Sequence, residues 1–287
     1  MTLATTTDIQ QNGTFTFQPE VHKRNEASDE IDRALRKFEK HFNIEFTRYA
    51  LYSKSFLNEF HHNLTMTDEN VKVQIATEHN KNLLDHFTFF SKVANTENPS
   101  NEHRRQYYER LQAVYATLDR SPGQFSENEK VAFIAPEREG RILAEKMGWL
   151  PDGHSFHPNA KRVHFEGGIL IGLDDINTTC QFDRVEIIDG AIASGATLIT
   201  IMECMASASN VFDIYSVHAT IEGINALTRF AKSRGLQLTC SIGHVTAGLN
   251  DKYYAVEVVS NGERLVVGDL GDTISDLQEV ISHEILS

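Results

Sequence analysis

Two hydrophobic periods divide the chain. Up to about residue 120 glycine and proline are scarce, and apolar residues recur three to four positions apart: Ile31, Leu35, Phe38 and Phe42 in one stretch, Tyr107, Leu111, Val114 and Leu118 in another. That spacing gathers them on one side of an α-helix, so both stretches predict amphipathic helices, and 71–90 reads as a further helix or two. NTENPSNE (95–102) is a loop, and DRSPGQFSENE (119–129), rich in turn formers, marks a boundary. From Lys130 onward the pattern becomes short β-rich runs, at 131–134, 169–172, 185–188, 214–218 and 237–242, with helices expected at 140–147, 196–206 and 221–233. Strands alternating with helices imply parallel pairing. The expected fold class is therefore α/β, a mostly parallel sheet flanked by helices, preceded by an all-helical N-terminal region. Its parts would be an extended or disordered segment (1–27), a helical extension (28–120) and an α/β domain (125–287). Ligands of such sheets bind outside the carboxyl ends of the strands.

Composition narrows the partners. With 40 acidic against 27 basic residues the net charge is -13, which disfavours nonspecific attraction to nucleic acid or to acidic membranes. A phosphorylated ligand is not excluded, because amide dipoles and one or two arginines dominate inside a shielded cleft. Aromatic residues are not interleaved with basic ones as a nucleic-acid surface would require. The three cysteines, Cys180, Cys204 and Cys240, form no CxxC pair, so neither a disulfide framework nor a zinc ribbon is expected. MTLATTTDIQQNG at the start lacks a basic, then apolar leader, and no run approaches 18 apolar residues. A soluble cytoplasmic protein is the expectation.

The chemistry concentrates in RVEIIDGAIASGATLIT (184–200), a strand, a small-residue loop and a helix start in direct succession. Val185, Ile187 and Ile188 form the strand, and Asp189 stands near its end. Ala193, Gly195 and Ala196 keep side chains away from the loop backbone, so a phosphate can approach the amides. Ser194 and Thr197 add hydroxyl donors, and the helix beginning near Gly195 aims unpaired N–H groups and its dipole at the same point. A side chain added at Gly195 would obstruct the phosphate. Asp189 would face sugar hydroxyls or a metal, which suits a ribose phosphate better than a bare phosphate. The same small residues would equally serve close packing of strand on helix. Neither a GxxxxGKS/T nor a GxGxxG motif is present.

This segment resembles the phosphoribosyl-pyrophosphate (PRPP) loop of type I phosphoribosyltransferases, and its single acid before Ala193-Ser194-Gly195-Ala196-Thr197 is most similar to the uracil phosphoribosyltransferase branch. Further resemblances follow in chain order. FIAPEREG (133–140) is similar to the family's first active-site loop. VHATIEGINAL (217–227) resembles the segment whose acid-glycine pair opens a helix, and VTAGLND (245–251) a T-A-x-x-x-L-N stretch slightly shortened. LVVGDLGDT (265–273) resembles the base-recognition and magnesium-side segment. The resemblance covers roughly residues 125–280 and implies a phosphoribosyltransferase-like fold. The activity it implies is transfer of phosphoribose from PRPP to a uracil-like heterocyclic acceptor with release of pyrophosphate, with Mg2+ as cofactor, in a homo-oligomer such as a homodimer.

The roles implied are Arg138 on the diphosphate, Asp189 on the sugar, and Asp272 as the metal-side acid. The backbone and hydroxyls of Ala193, Ser194, Gly195, Ala196 and Thr197 would hold the 5′-phosphate, and Val267, Gly268 and Leu270 the base. Departures stand beside them. Glu137 and Glu139 flank Arg138 and would repel a diphosphate unless they turn outward or pair with Arg141. Asp269 replaces a small residue, and Thr273 to Asp276 lack the family's acid-arginine pair. Tyr253 to Leu265 is an insertion whose Asn261-Gly262 reads as a hairpin turn, either capping the pocket or forming plain edge structure. Of thirteen histidines, His61, His62, His79 and His86 follow no HExxH pattern, and His218 and His244 read as core or rim residues near the cleft. Two other readings stay open: a non-catalytic PRPP or nucleotide sensor, and another sugar-phosphate enzyme sharing only the anion cradle.

Overall fold

The computed structural model describes residues 10–11, 14–15, 20–42, 45–53, 67–68, 70–75, 85–86, 88–89, 92–93, 100–115, 128–137, 140–141, 144–145, 148–149, 154–165, 168–174, 176, 179–251, 253–258, 262 and 264–267. In chain order its strands begin with β1 (Gln10–Gln11), β2 (Thr14–Phe15), β3 (Val21–Lys23), β4 (Arg48–Ser53), β5 (Thr67–Asp68), β6 (Val71–Ile75), β7 (Val131–Ile134) and β8 (Ser155–Phe156). They continue with β9 (Ala160–Phe165), β10 (Gly168–Leu173), β11 (Arg184–Ile192), β12 (Val211–Thr220), β13 (Gln237–Thr246), β14 (Gly248–Leu249), β15 (Ala255–Val258) and β16 (Arg264–Val266). The helices are α1 (Asp29–Phe42), α2 (Asn101–Tyr115), α3 (Ala196–Met205) and α4 (Ile221–Arg234).

A seven-stranded sheet in the order β5-β6-β13-β12-β11-β7-β8 carries the fold. All its pairings are parallel except the edge pair of β5 with β6. Its strands are buried on both faces: all of β7 is buried, and so is every residue of β12 from Phe212 to Thr220. That is the burial a parallel sheet covered on both sides requires. On one side lies α3, almost wholly apolar and buried at Leu198, Ile199, Ile201, Met202 and Met205. α4 is better delimited, with Thr220 accepting the Gly223 amide at its start and Lys232 and Arg234 in its last turn.

A second sheet, β3-β4-β10-β9, is antiparallel. Ala50 and Tyr52 of β4 with Ile169, Ile171 and Leu173 of β10 enter the same apolar cluster as α3 and the parallel sheet, whereas Tyr49 and Leu170 face Leu35 of α1. Helix α3 is therefore held between two sheets. The mostly parallel α/β architecture matches the expectation, and so do the hairpin of β15 on β16 and the positive φ of 80° at Gly262.

Three expectations need correction. The N-terminal region is not all helical: α1 and α2 stand where the helical spacing put them, but β4 and β6 lie between them. Val71, Val73 and Ile75 alternate with Lys72 and Gln74, a period of two that outweighs the helical reading of this stretch, and β6 pairs in parallel with β13. The run at 169–172 is not a parallel strand. Only two residues separate β9 from β10, enough for an antiparallel hairpin and too few for a crossover. Among the described residues no helix is long and apolar enough to cross a membrane.

Candidate functional site

At the carboxyl end of β11 lies a small solvent-open cleft, lined by Asp189, the run from Ala191 to Leu198, Pro136, Glu137, Ala160 and Arg162. Every residue of the small-residue loop singled out from sequence, Ala193 through Thr197, borders it, together with the acid at position 189. The loop leads straight into α3, whose N-cap is Gly195, a residue with no side chain to occupy the free amides, and whose first turn holds no acid. Both features leave the helix end attractive to an anion.

The loop is shaped from behind by the start of α4. Thr220 Oγ1 donates to the Ala193 carbonyl at 2.6 Å and accepts the Gly223 amide at 2.9 Å. The backbone of residue 223 runs so close to the loop that a Cβ there would stand 2.3 Å from the Ala193 oxygen. Gly195 has φ of 77°, the left-handed region, and a Cβ on it would lie 3.0 Å from the Gly223 carbonyl oxygen. Gly195 therefore has a role besides the expected one: a side chain there presses on α4 and strains the backbone. Ser194 is buried, and its Oγ accepts from the Ala196 amide at 3.4 Å, so its hydroxyl belongs to the turn as well as to the cleft wall. Thr197 is partly exposed at the rim.

Asp189 is also partly exposed, with Oδ1 accepting the Gly190 amide at 2.9 Å. Glu137 pairs with Arg141, whose Nε also donates to Glu145 at 2.8 Å. The two carboxylates hold the Arg141 guanidinium above its ordinary pKa, the Glu145 hydrogen bond contributing most. A charge that would repel diphosphate is thus neutralised, by the pairing the sequence had left open. Arg162 was missed from sequence. It extends from β9 into the cleft wall beside Ala160, and its guanidinium carbon lies 5.5 Å from the Tyr254 ring centroid. The signal was the alternation of β9, which turns Ala160 and Arg162 to one side.

Four of the residues singled out from sequence, Arg138, Gly268, Leu270 and Asp272, lie outside the described residues. Val267 is fully buried and donates its amide to the Ala255 carbonyl at 2.9 Å, so it extends the β15 pairing and is not part of the cleft lining. His218 is buried on β12 between Ala191 of β11 and His244 of β13. Burial, with a smaller contribution from His244, lowers its pKa to about 3 and keeps it neutral. His244 Nε2 bonds Glu257 Oε2 at 2.7 Å. Both are core or rim residues, as expected. Among the described residues no group of three or more His, Cys, Asp or Glu side chains forms a metal cluster.

No protein-family profile and no curated protein matches the chain. Among solved structures it is similar to the AQ2163 protein from Aquifex aeolicus, at 20% identity and a TM-score of 0.46, over 70% of this chain and 97% of that one. It is similar to the adenine phosphoribosyl transferase from Trypanosoma brucei solved with AMP, pyrophosphate and ribose-5-phosphate, at 12% identity and a TM-score of 0.38, over 67% of this chain and 90% of that one. A third similar structure is the Helicobacter pylori xanthine-guanine-hypoxanthine phosphoribosyltransferase, at 14% identity and a TM-score of 0.29, over 43% of this chain and 77% of that one.

Proposed function

We propose that this chain transfers phosphoribose from PRPP to a heterocyclic acceptor, a uracil-like nucleobase, and releases pyrophosphate. The observation that carries the reading is the convergence of the 193–197 turn and Asp189 on one open cleft at the carboxyl end of a central parallel strand. Amides at the start of α3 take the 5′-phosphate. Asp189, four residues before the phosphate turn, accepts the ribose hydroxyls and holds C1 toward the acceptor. The bond from C1 to the diphosphate oxygen breaks as the bond from C1 to an acceptor nitrogen forms, the acceptor's N–H proton goes to solvent, and diphosphate leaves. Arg162 in the cleft wall, and Arg138, which follows the cleft-lining Glu137 in sequence, supply guanidinium charge to the departing oxygens.

The donors present suit magnesium, which takes one or two carboxylates and substrate phosphate oxygens: Asp189 borders the cleft, and Asp272 belongs to the segment resembling the family's magnesium side. When bound it neutralises charge on the leaving diphosphate. Gly268 and Leu270 remain the proposed base-side positions. A homo-oligomer in the cytoplasm is part of the same proposal, and light scattering of the purified chain reads the first.

The test is incubation with PRPP, Mg2+ and a panel of pyrimidines, purines and small aromatic acids, measuring pyrophosphate and the nucleotide product. Acceptor-dependent release with a uracil-like base is expected. PRPP binding without release under any acceptor would favour a sensor. Binding of ribose 5-phosphate that the diphosphate does not improve would favour a different sugar-phosphate enzyme.

A further inference from the structure

Behind the phosphate turn a buried hydrogen-bond chain runs from the N-terminal part of the protein to the start of α3. Tyr52 of β4 meets Thr200 of α3, Oη to Oγ1, at 2.8 Å, and Thr200 Oγ1 lies 2.8 Å from the Ala196 carbonyl oxygen. Tyr52 is 2% exposed and Thr200 0%. The direction of the chain follows from proton counting. A carbonyl only accepts, so Thr200 gives its single hydroxyl proton to Ala196, and Tyr52 must donate to Thr200. Burial raises the phenol's pKa well above its ordinary value, so the proton stays in place.

The end of this chain is one face of a cleft amide. The Ala196 carbonyl and the Thr197 N–H share one planar trans peptide unit and point in opposite directions. Fixing the oxygen from inside therefore fixes the Thr197 N–H toward the helix start, where Ala196 and Thr197 border the cleft. Each donor in the series also polarises the next, making the terminal N–H a stronger donor. The same antiparallel sheet brings in the cleft's described arginine: Tyr52 pairs with Ile169 of β10, and Ile171 of β10 with Arg162 of β9.

We infer that Tyr52, acting through Thr200 and the Ala196 carbonyl, is a positioning residue for the phosphate-binding amide of Thr197, so that the N-terminal strand β4 is part of the binding machinery. This rests on the phosphate reading of the cleft. The test is calorimetric titration of ribose 5-phosphate into full-length wild type, Tyr52→Phe, Thr200→Ser, Thr200→Val and the Tyr52→Phe/Thr200→Val pair, at a temperature where each is folded. Tyr52→Phe and Thr200→Val are expected to weaken binding about three- to tenfold. Thr200→Ser, which keeps the hydroxyl, should stay within about twofold, and the pair should be no weaker than Thr200→Val alone. A melting temperature lowered in Tyr52→Phe with an unchanged Kd marks a merely structural contact and overturns the inference while leaving the cleft reading intact. Should Tyr52→Phe fail to fold, equal Kd values for Thr200→Ser and Thr200→Val overturn it as well. Wild type that does not bind ribose 5-phosphate overturns the cleft reading and this inference together.

Discussion

Gly223→Ala sets helix propensity against the geometry of the cleft. Position 223 is the third residue of α4, where alanine is intrinsically better than glycine by about 1 kcal/mol. On that count the change stabilises. The surroundings oppose it: the new Cβ would stand 2.3 Å from the Ala193 carbonyl oxygen, 2.9 Å from Ile192 Cγ2 and 3.1 Å from the Ile192 oxygen. Real Cβ contacts essentially never fall below 3.0 Å, so the Ala193 carbonyl must retreat by about 0.7 Å. The retreat stretches its 2.6 Å bond from Thr220, the bond that ties the loop to α4. Overpacking costs about 1–3 kcal/mol, and the weakened bond up to about 1 kcal/mol. Against the propensity gain, a net loss of up to about 3 kcal/mol remains. Function suffers as well, because the turn that borders the cleft moves with that carbonyl, and misplacement approaching 1 Å costs transfer on the order of 10²-fold. Urea unfolding followed by circular dichroism, with ribose 5-phosphate titration and pyrophosphate release on the same preparations, measures all three. A Gly223→Ala protein as stable as wild type, or more so, with unchanged affinity would refute the close-packing account.

Other changes probe separate parts of the site. Asp189→Asn should leave the unfolding midpoint near wild type and reduce phosphoribosyl transfer by on the order of 10²-fold or more, since a carboxylate on the sugar hydroxyls acts in the transition state; undiminished turnover removes Asp189 from the mechanism. Gly195→Ala should lose about 1–2 kcal/mol from backbone strain and bind ribose 5-phosphate more weakly, read by denaturation and calorimetry, and a protein as stable as wild type would show that the positive φ is not required. His218 has a folded pKa of about 3, below its ordinary 6.5, so the unfolded chain binds the extra proton and stability falls as pH drops from about 6.5 toward 3. Between pH 7 and pH 5 this one group accounts for about 2 kcal/mol. His218→Phe should flatten the urea-midpoint profile over that interval by this amount, and an identical slope in both proteins would count against the buried neutral imidazole.

How much was legible beforehand depended on distance along the chain. The phosphate turn was readable because strand, loop and helix start fall within 184–200, and small residues free backbone amides wherever such a turn is placed. α3, α4 and the strands from β11 to β13 were readable because each is a compact run of helix- or strand-forming residues set off by turn formers, with Thr220 capping α4. β6 was misread because five residues alternating beside a helical stretch give little periodic signal, and pairing with β13 settles its state. Arg162 sat unnoticed among Lys161, His164 and other polar neighbours, since nothing local says which side of a hairpin faces a cleft. Glu137 beside the cleft was ambiguous until Arg141 was found beside it.

By itself, then, the amino-acid order determined that an apolar strand carries an acid near its end and runs into an open-backboned turn, because those properties depend on residues next to one another. Tertiary structure alone decided that Gly195 is needed for backbone shape, that Gly223 lets α4 approach the loop, and that Tyr52 reaches Thr200 across 148 positions of chain. Contacts of that kind depend on how strands cross and pair, and side-chain period records only which way a residue faces within its own element.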